Sequence, residues 1–407
     1  TLGSAESGYQ TFGDAGVANA DVVRYVIEDG TAWEIGTGTY TATGTTLTRT
    51  VSESSNADAA IVLTGSATVF IGATAADIPA LYAESYDGTS GLPVATGSTN
   101  AVAIGRAYAD GTDSFAAAIA NNTSSYGATG DESVAMGRFA KATGSRSIAL
   151  GGNATATALF ATALTNSYAS GGDSFAAGMD SASASYGAQA TSSIAIGKQA
   201  KATGAYGTAI GEATQATASN SVCMGYYSQA TAQGAVAIGY DAQATAGKSY
   251  SFGLKVRNAI QNTFRFAGGH FSAAGDAQSG IYIMRSDTTD ATAEALTTTK
   301  TAASTDNQVI LPNNSAYFFS GTIIARQQAS AGTDVGAWEI KGAIRREANA
   351  ASTVLVKSTI DDFNVPTGWA VALTANTTNG GLAITVTGAA ATNIRWVATV
   401  NTSEVTY

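Results

Sequence analysis

The chain has 407 residues, a formal net charge of −10 and only 12% charged residues, about half the usual share of a globular protein. That acidic balance argues against nucleic acid as a partner, and no apolar run reaches the roughly 20 residues of a membrane-spanning helix. One cysteine, Cys223, cannot form an intrachain disulfide, which fits assembly in a reducing cytoplasm.

Residues 1–76 read as a small β domain. In VVRYVIEDGTAWEIGTGTYTATG (22–44), Asp29-Gly30 separates two alternating runs and predicts a hairpin. Residues 77–99 hold Pro79, Pro93 and the tract DGTSGLPVATGST. They read as a linker or an irregular first coil.

Residues 100–253 contain an internal repeat and no proline. Gly197, Gly211, Gly225, Gly239 and Gly253 recur every fourteen residues, each closing a short run such as SIAIG (193–197) or AVAIG (235–239). A second short run lies between them, as in AKATG (200–204) and AQATA (242–246). A fixed period of this kind marks a solenoid. Upstream, residues 101–151 repeat at 161–211, and the 60-residue offset divides into steps of about 13, 19, 14 and 14. This places Gly105, Gly137, Gly151 and Gly178 in the same structural series. The 19-residue steps predict a bulging loop near Ala120–Ser124 and again near Asp180–Ala184. Such loops either gather function on one face or are surface slack.

The faces of one period carry the physical argument. In AVAIG, Val236 and Ile238 share one face and Ala235 and Ala237 the other. Neither face suits water. One can fill the lumen of its own coil; the other must bury elsewhere, and small residues there would allow close approach of a second copy. In AQATA, alanines share one face and Gln243 and Thr245 the other, so this strand lies between lumen and solvent. A fourteen-residue coil encloses a thin core, since alanine buries little area. Ten or eleven coils rising about 4.8 Å each would make a rod roughly 50 Å long.

Residues 254–264, LKVRNAIQNTF, read as a neck. Residues 265–407 hold eight strand-like runs, from GIYIMRS (280–286) to IRWVATVNTSEVTY (394–407), with a hairpin at Asn379-Gly380-Gly381. They predict a β-sandwich or jelly roll. The expected class is all-β throughout.

Catalytic, cofactor-binding and metal residues are not expected. His270 is the single histidine, too few for a histidine-based triad beside a metal site, and reads as structural. Cys223 occupies the position of Ala209 and Ala237, which predicts a small buried residue. The acid pairs Asp131-Glu132 and Asp361-Asp362 fit polar turns better than a glycan-cleaving pair. Arg138, Lys141, Lys198 and Lys201 fall on the wet face, where they keep an alanine-rich rod dispersed.

The stretches SVAMGRFAKATGSRSIALG (133–151) and SSIAIGKQAKATGAYGTAIG (192–211) resemble the head repeats of trimeric autotransporter adhesins. That resemblance covers about 100–253 and implies a left-handed parallel β-roll with three intertwined chains. The stretch EDGTAWEIGTGTYTATGTTLTRT (28–50) resembles a small domain near the N-terminus of phage fibre proteins, and Gly336 to Tyr407 resembles their C-terminal domains more loosely. Together these imply a non-enzymatic homotrimeric phage fibre, foremost a tail fibre. Residues 1–76 would bind other virion proteins, and 265–407 would meet a bacterial surface glycan or protein. A head fibre or capsid decoration protein and a bacterial trimeric adhesin are the alternatives; the lack of an apolar leader counts against the last.

Overall fold

A computed structural model describes residues 1–72, 100–105, 107–118, 125–178, 183–329 and 332–407. The expected linker at 77–99 lies outside the described residues, as do 120–124 and 180–182 of the expected loops. The chain divides into two compact units.

In the N-terminal unit, Val22–Asp29 and Ala32–Thr41 pair antiparallel up to Asp29 opposite Ala32. Gly30, at φ +68, supplies the left-handed backbone that this two-residue turn needs. Thr68–Ile71 adds to the other side of Val22–Asp29, and Thr46–Leu47 and Thr50–Ser54 pair with Ala32–Thr41. The core is small, built on Tyr25, Ile27 and Ile61. A buried carboxylate reinforces it. Glu34 accepts from Tyr25 Oη at 2.7 Å, Arg49 Nε at 2.8 Å and the Ile61 amide at 2.9 Å. Burial alone would raise its pKa; the Arg49, Tyr25 and Ile61 donors outweigh burial and hold it below the usual value. A group depressed in the fold stabilises above its unfolded pKa, about 4.3 for glutamate, and loses that contribution as pH falls through the folded value. We expect Glu34→Gln to destabilise this unit by about 2 kcal/mol at pH 7 and to flatten the loss of stability on acidification below pH 4. Denaturation of the full chain at pH 7 and pH 3, followed by amide hydrogen exchange of the Val22–Asp29 and Ala32–Thr41 strands, checks both.

The second unit opens with the solenoid. Twelve strands among the described residues, from Val102–Gly105 to Thr263–Ala267, form one parallel ladder in strict register. The 19-residue steps survive in it: Phe115 pairs with Val134, and Phe175 with Ile194. A second ladder of ten two-residue strands runs from Gly127–Ala128 to Arg257–Asn258. Its strands are shorter than the four or five residues expected, because the corners claim the rest. Each fourteen-residue coil turns through left-handed non-glycine residues, such as Tyr206, Asn220, Ala213 and Tyr227, each costing about 1 kcal/mol. Buried serines close one corner: Ser193, Ser221 and Ser249 donate to the carbonyls of Ala190, Ala218 and Ala246 at 2.6–2.7 Å.

The face assignment reverses the expectation that small residues meet a partner. The lumen is filled by alanine: Ala195, Ala209, Ala237 and Ala244 are wholly buried, with Cys223 in the same row. The larger residues, Val236 and Ile238 with their counterparts, point outward. Two ladders this close together leave no room inside for a branched side chain, so alanine is the residue the lumen accepts.

The expected neck is also corrected. Residues 254–264 build a further coil, since Gln243–Ala244 pairs with Arg257–Asn258 and Tyr250–Leu254 with Thr263–Ala267. The same sheet then continues without a break. Thr263–Ala267 pairs antiparallel with Ala277–Thr288, followed by Ile394–Thr406, Ser315–Gln327, Val335–Arg346 and Val354–Asn364. A second sheet of Ala293–Ala295, Val309–Ile310, Ala370–Asn376 and Gly381–Thr387 covers it. The two enclose Phe319, Ile340, Leu382, Ile384 and Trp396 as a sandwich core. Trp396 stacks on Trp338 with ring centres 5.4 Å apart and donates to Thr288 at 3.0 Å. The hairpin at Asn379-Gly380-Gly381 joins Ala370–Asn376 to Gly381–Thr387 as expected.

Candidate functional site

The long ladder places two outward columns along the coils. One contains Val134, Ile148, Ile194, Val222 and Val236; the other contains Met136, Leu150, Ile196, Met224 and Ile238. Alternation explains the columns, because every second residue faces the alanine lumen. Met136 is 43% exposed, and Ile148, Ile194 and Met224 are each 37% exposed. Single exposed apolar residues need no explanation; a contiguous stripe one sheet long marks an interface. Toward the last coils the stripe turns aromatic. Tyr226 stacks on Tyr240 at 5.0 Å, Tyr250 on Phe264 at 4.6 Å and Phe252 on Phe266 at 5.6 Å.

The short ladder presents the opposite character. Its outward column includes Lys141, Thr155, Lys201, Gln215, Gln229, Gln243 and Arg257. Lys198 approaches Glu212 at 3.4 Å, and the Arg138 guanidinium lies 4.6 Å from the Phe139 ring centre. Each coil is therefore wet along one ladder and apolar along the other.

Beyond the coils this face becomes mixed, with Ser320, Thr322, Thr399, Asn401 and Ser403 set among apolar residues. Phe264 is in register with Ile281, and the same outward side carries Ile283, Val397, Val405, Phe318 and Ile324 on the following strands. Phe318 and Ile324 are about half exposed. A shallow apolar groove of about 330 Å³ runs past Ala316, Phe318, Ala343 and Val405.

A buried ion pair fixes the junction between coils and sandwich. Arg265 Nε lies 3.2 Å from Glu404 Oε2, with both side chains almost wholly buried. Glu404 also accepts from Thr402 Oγ1 at 2.6 Å and Gln278 Nε2 at 2.9 Å. The Arg265 guanidinium sits 4.5 Å from the Tyr282 ring centre and bonds its hydroxyl. Burial pushes the Tyr282 hydroxyl well above its usual value, so it stays neutral. Gly280 makes room for this network: a Cβ there would come within 2.4 Å of Arg265 Nη1. Residues 139 positions apart thus lock the last coil to the final strand, a pairing that no sequence spacing announces.

The expected repeat glycines lie at or near the ends of the outward strands, and Gly211, Gly225, Gly239 and Gly253 are each followed by one more strand residue. Gly105 closes Val102–Gly105 opposite Ala118. Gly137, Gly151, Gly178, Gly197, Gly211, Gly225, Gly239 and Gly253 all have positive φ. Cys223 is buried, as its place in the alanine row predicts, and burial pushes its thiol up to about 12. His270 departs from the structural reading. Its ring is exposed on a loop held by Asp276, which accepts from the amides of Phe271, Ser272 and Ala273 at 2.6–2.9 Å. Burial opposes those donors, yet they set the Asp276 carboxyl at about 2. Glu132 is engaged by Arg146 at 2.7 and 3.0 Å, and Asp361 lies 3.6 Å from Lys341. Among the described residues no three His, Cys, Asp or Glu side chains gather as metal ligands, and no helix is long and apolar enough to cross a membrane.

No curated protein matches the chain. Among solved structures, tailspike protein gp49 from Acinetobacter baumannii bacteriophage Fri1, a capsular polysaccharide depolymerase, aligns at 10% identity over 57% of this chain. The alignment spans 42% of that tailspike, and its TM-score of 0.19 carries no argument. The YadA head domain repeat matches at residues 128–154, 142–164, 188–212, 202–228, 216–242 and 230–249. These segments all fall within the two parallel ladders, so the middle of the chain is a β-solenoid whose repeats are similar to the YadA head domain repeat.

Proposed function

We propose that three copies of this chain assemble along the apolar face into a virion fibre, and that the fibre is a tail fibre that attaches to a host surface without catalysis. The observation that carries the reading is the outward stripe of Val, Ile, Met and aromatic residues beside a wet short ladder. A thin alanine lumen and strained corners give each coil little stability of its own, and lateral burial at about 25 cal/mol per Å² supplies it. In this reading residues 1–76 join other virion proteins, and the sandwich meets a bacterial glycan or protein. Engagement of Glu132 by Arg146 and of Asp361 by Lys341 supports a binding role over bond cleavage.

The repeat match favours one second reading, an adhesin displayed on a bacterial surface. Gold-labelled antibody against residues 1–72 separates the two. Labelling at the tail of the virion is expected. Labelling at the capsid would make the protein a head fibre, and labelling confined to bacterial envelopes would replace the fibre reading with the adhesin one.

A further inference from the structure

The outward face of the sandwich changes character at the ends of its strands. Asp287, Arg395 and Arg326 form one row across three strands, with Asp287 opposite Arg395 and Arg395 opposite Arg326. One row inward the same strands carry Arg285, Val397 and Ile324. Beyond the row opens a cleft of about 550 Å³, within the roughly 300–1,000 Å³ of small-ligand sites. Its wall also holds Thr289, Gln328 and Asn393.

The charge in this cleft is not consumed by the fold. The Arg395 side chain is 88% exposed, and its Nε stands 3.9 Å from Asp287. Asp287 is already engaged by Lys300. Arg326 gives one long bond, 3.3 Å from Nη1, to the Asp334 carbonyl. Asp287 is the one carboxylate among the described lining residues, beside the guanidiniums of Arg326 and Arg395 and the Lys300 ammonium, on a chain whose net charge is −10. Beside them Asn393 Nδ2 donates to Gln328 Oε1 at 2.8 Å, and this amide pair and the Thr289 hydroxyl line the same wall. An arginine fork matches a carboxylate in two parallel hydrogen bonds. Amides and hydroxyls match sugar hydroxyls.

We propose that this cleft binds a carboxylated saccharide, with Arg395 and Arg326 on the carboxylate and the Asn393–Gln328 pair and Thr289 on ring hydroxyls. The proposal rests on the host-attachment reading and gives its ligand a chemical class. It is tested by titrating the full chain with oligosaccharides bearing glucuronate, galacturonate or N-acetylneuraminate, each beside its methyl ester. At least one acid is expected to bind saturably and more weakly as salt rises, with the ester at least tenfold weaker. Arg395→Ala is expected to lose tenfold or more while melting like the parent, and Arg395→Lys to fall between. Saturable binding by none of the acids, equal binding of acid and ester, or unchanged binding by Arg395→Ala would overturn the proposal. Competition with virions for host cells separates the two readings. Equal competition by parent and Arg395→Ala would keep the fibre and discard the cleft; failure of the parent to compete would count against the fibre, leaving the cleft to the titration.

Discussion

Replacing Met224 and Ile238 together with lysine is expected to separate the copies and, with lateral burial lost, to destabilise the coils. The two residues sit in one outward column on successive coils, and neither touches the alanine lumen. In a lone chain the new ammonium groups would stand in water at little cost. Pressed against a sister chain they would be buried without partners, at about 3 kcal/mol or more per chain, and three chains multiply the penalty to about 10 kcal/mol. The matched control is Gln229→Lys with Gln243→Lys on the short ladder, one coil apart on the wet side. Its assembly should not change. Size-exclusion chromatography with light scattering reads both variants, and an intact assembly for the Met224 and Ile238 variant would mean that this face is free.

A single methyl group at Gly225 is expected to cost about 4 kcal/mol. Gly225 has φ +119, and a Cβ there would lie 2.0 Å from the Gly239 carbonyl oxygen of the next coil. Backbone strain contributes about 1–3 kcal/mol, and forcing the coils apart adds about 1–3 kcal/mol more. The neighbour cannot yield, because Gly239 meets Gly253 the same way at 2.0 Å. Gly247→Ala supplies the contrast: its nearest neighbour would be 3.9 Å away, and its φ is not left-handed. Chemical denaturation of the full chain should show a marked loss for Gly225→Ala and almost none for Gly247→Ala. Equal midpoints would show that this column does not set coil spacing.

Much of the architecture is legible in the residues because the period is. A glycine every fourteen positions fixes the register of the parallel ladder, and runs such as AYFFSGTIIARQ alternate clearly enough to place Ser315–Gln327 within a residue. The hairpins at Gly30 and Gly380 follow from turn chemistry. The orientation of the coil is not legible in the same way. Val236 and Ala237 are both apolar, so alternation alone cannot tell lumen from exterior; the narrow gap between ladders decides it. The end of the roll is hidden for a related reason. Residues 254–267 continue the coil with Val256, Asn258 and Phe264 where earlier coils have Ala242, Ala244 and Tyr250, and the glycine marker gives way to Ala267. Long-range polar pairs, Arg265 with Glu404 and Arg326 beside Arg395, depend on strands distant in sequence and have no local signature. Glu34 is of the same kind, a buried carboxylate whose donors come from three segments.

The outward apolar stripe needs sister chains to cover it. The direct measurement is the solution mass of the purified full chain by sedimentation equilibrium in dilute buffer. A folded particle of three times the 40.7 kDa chain is predicted. A folded, monodisperse particle of a single chain mass would contradict it.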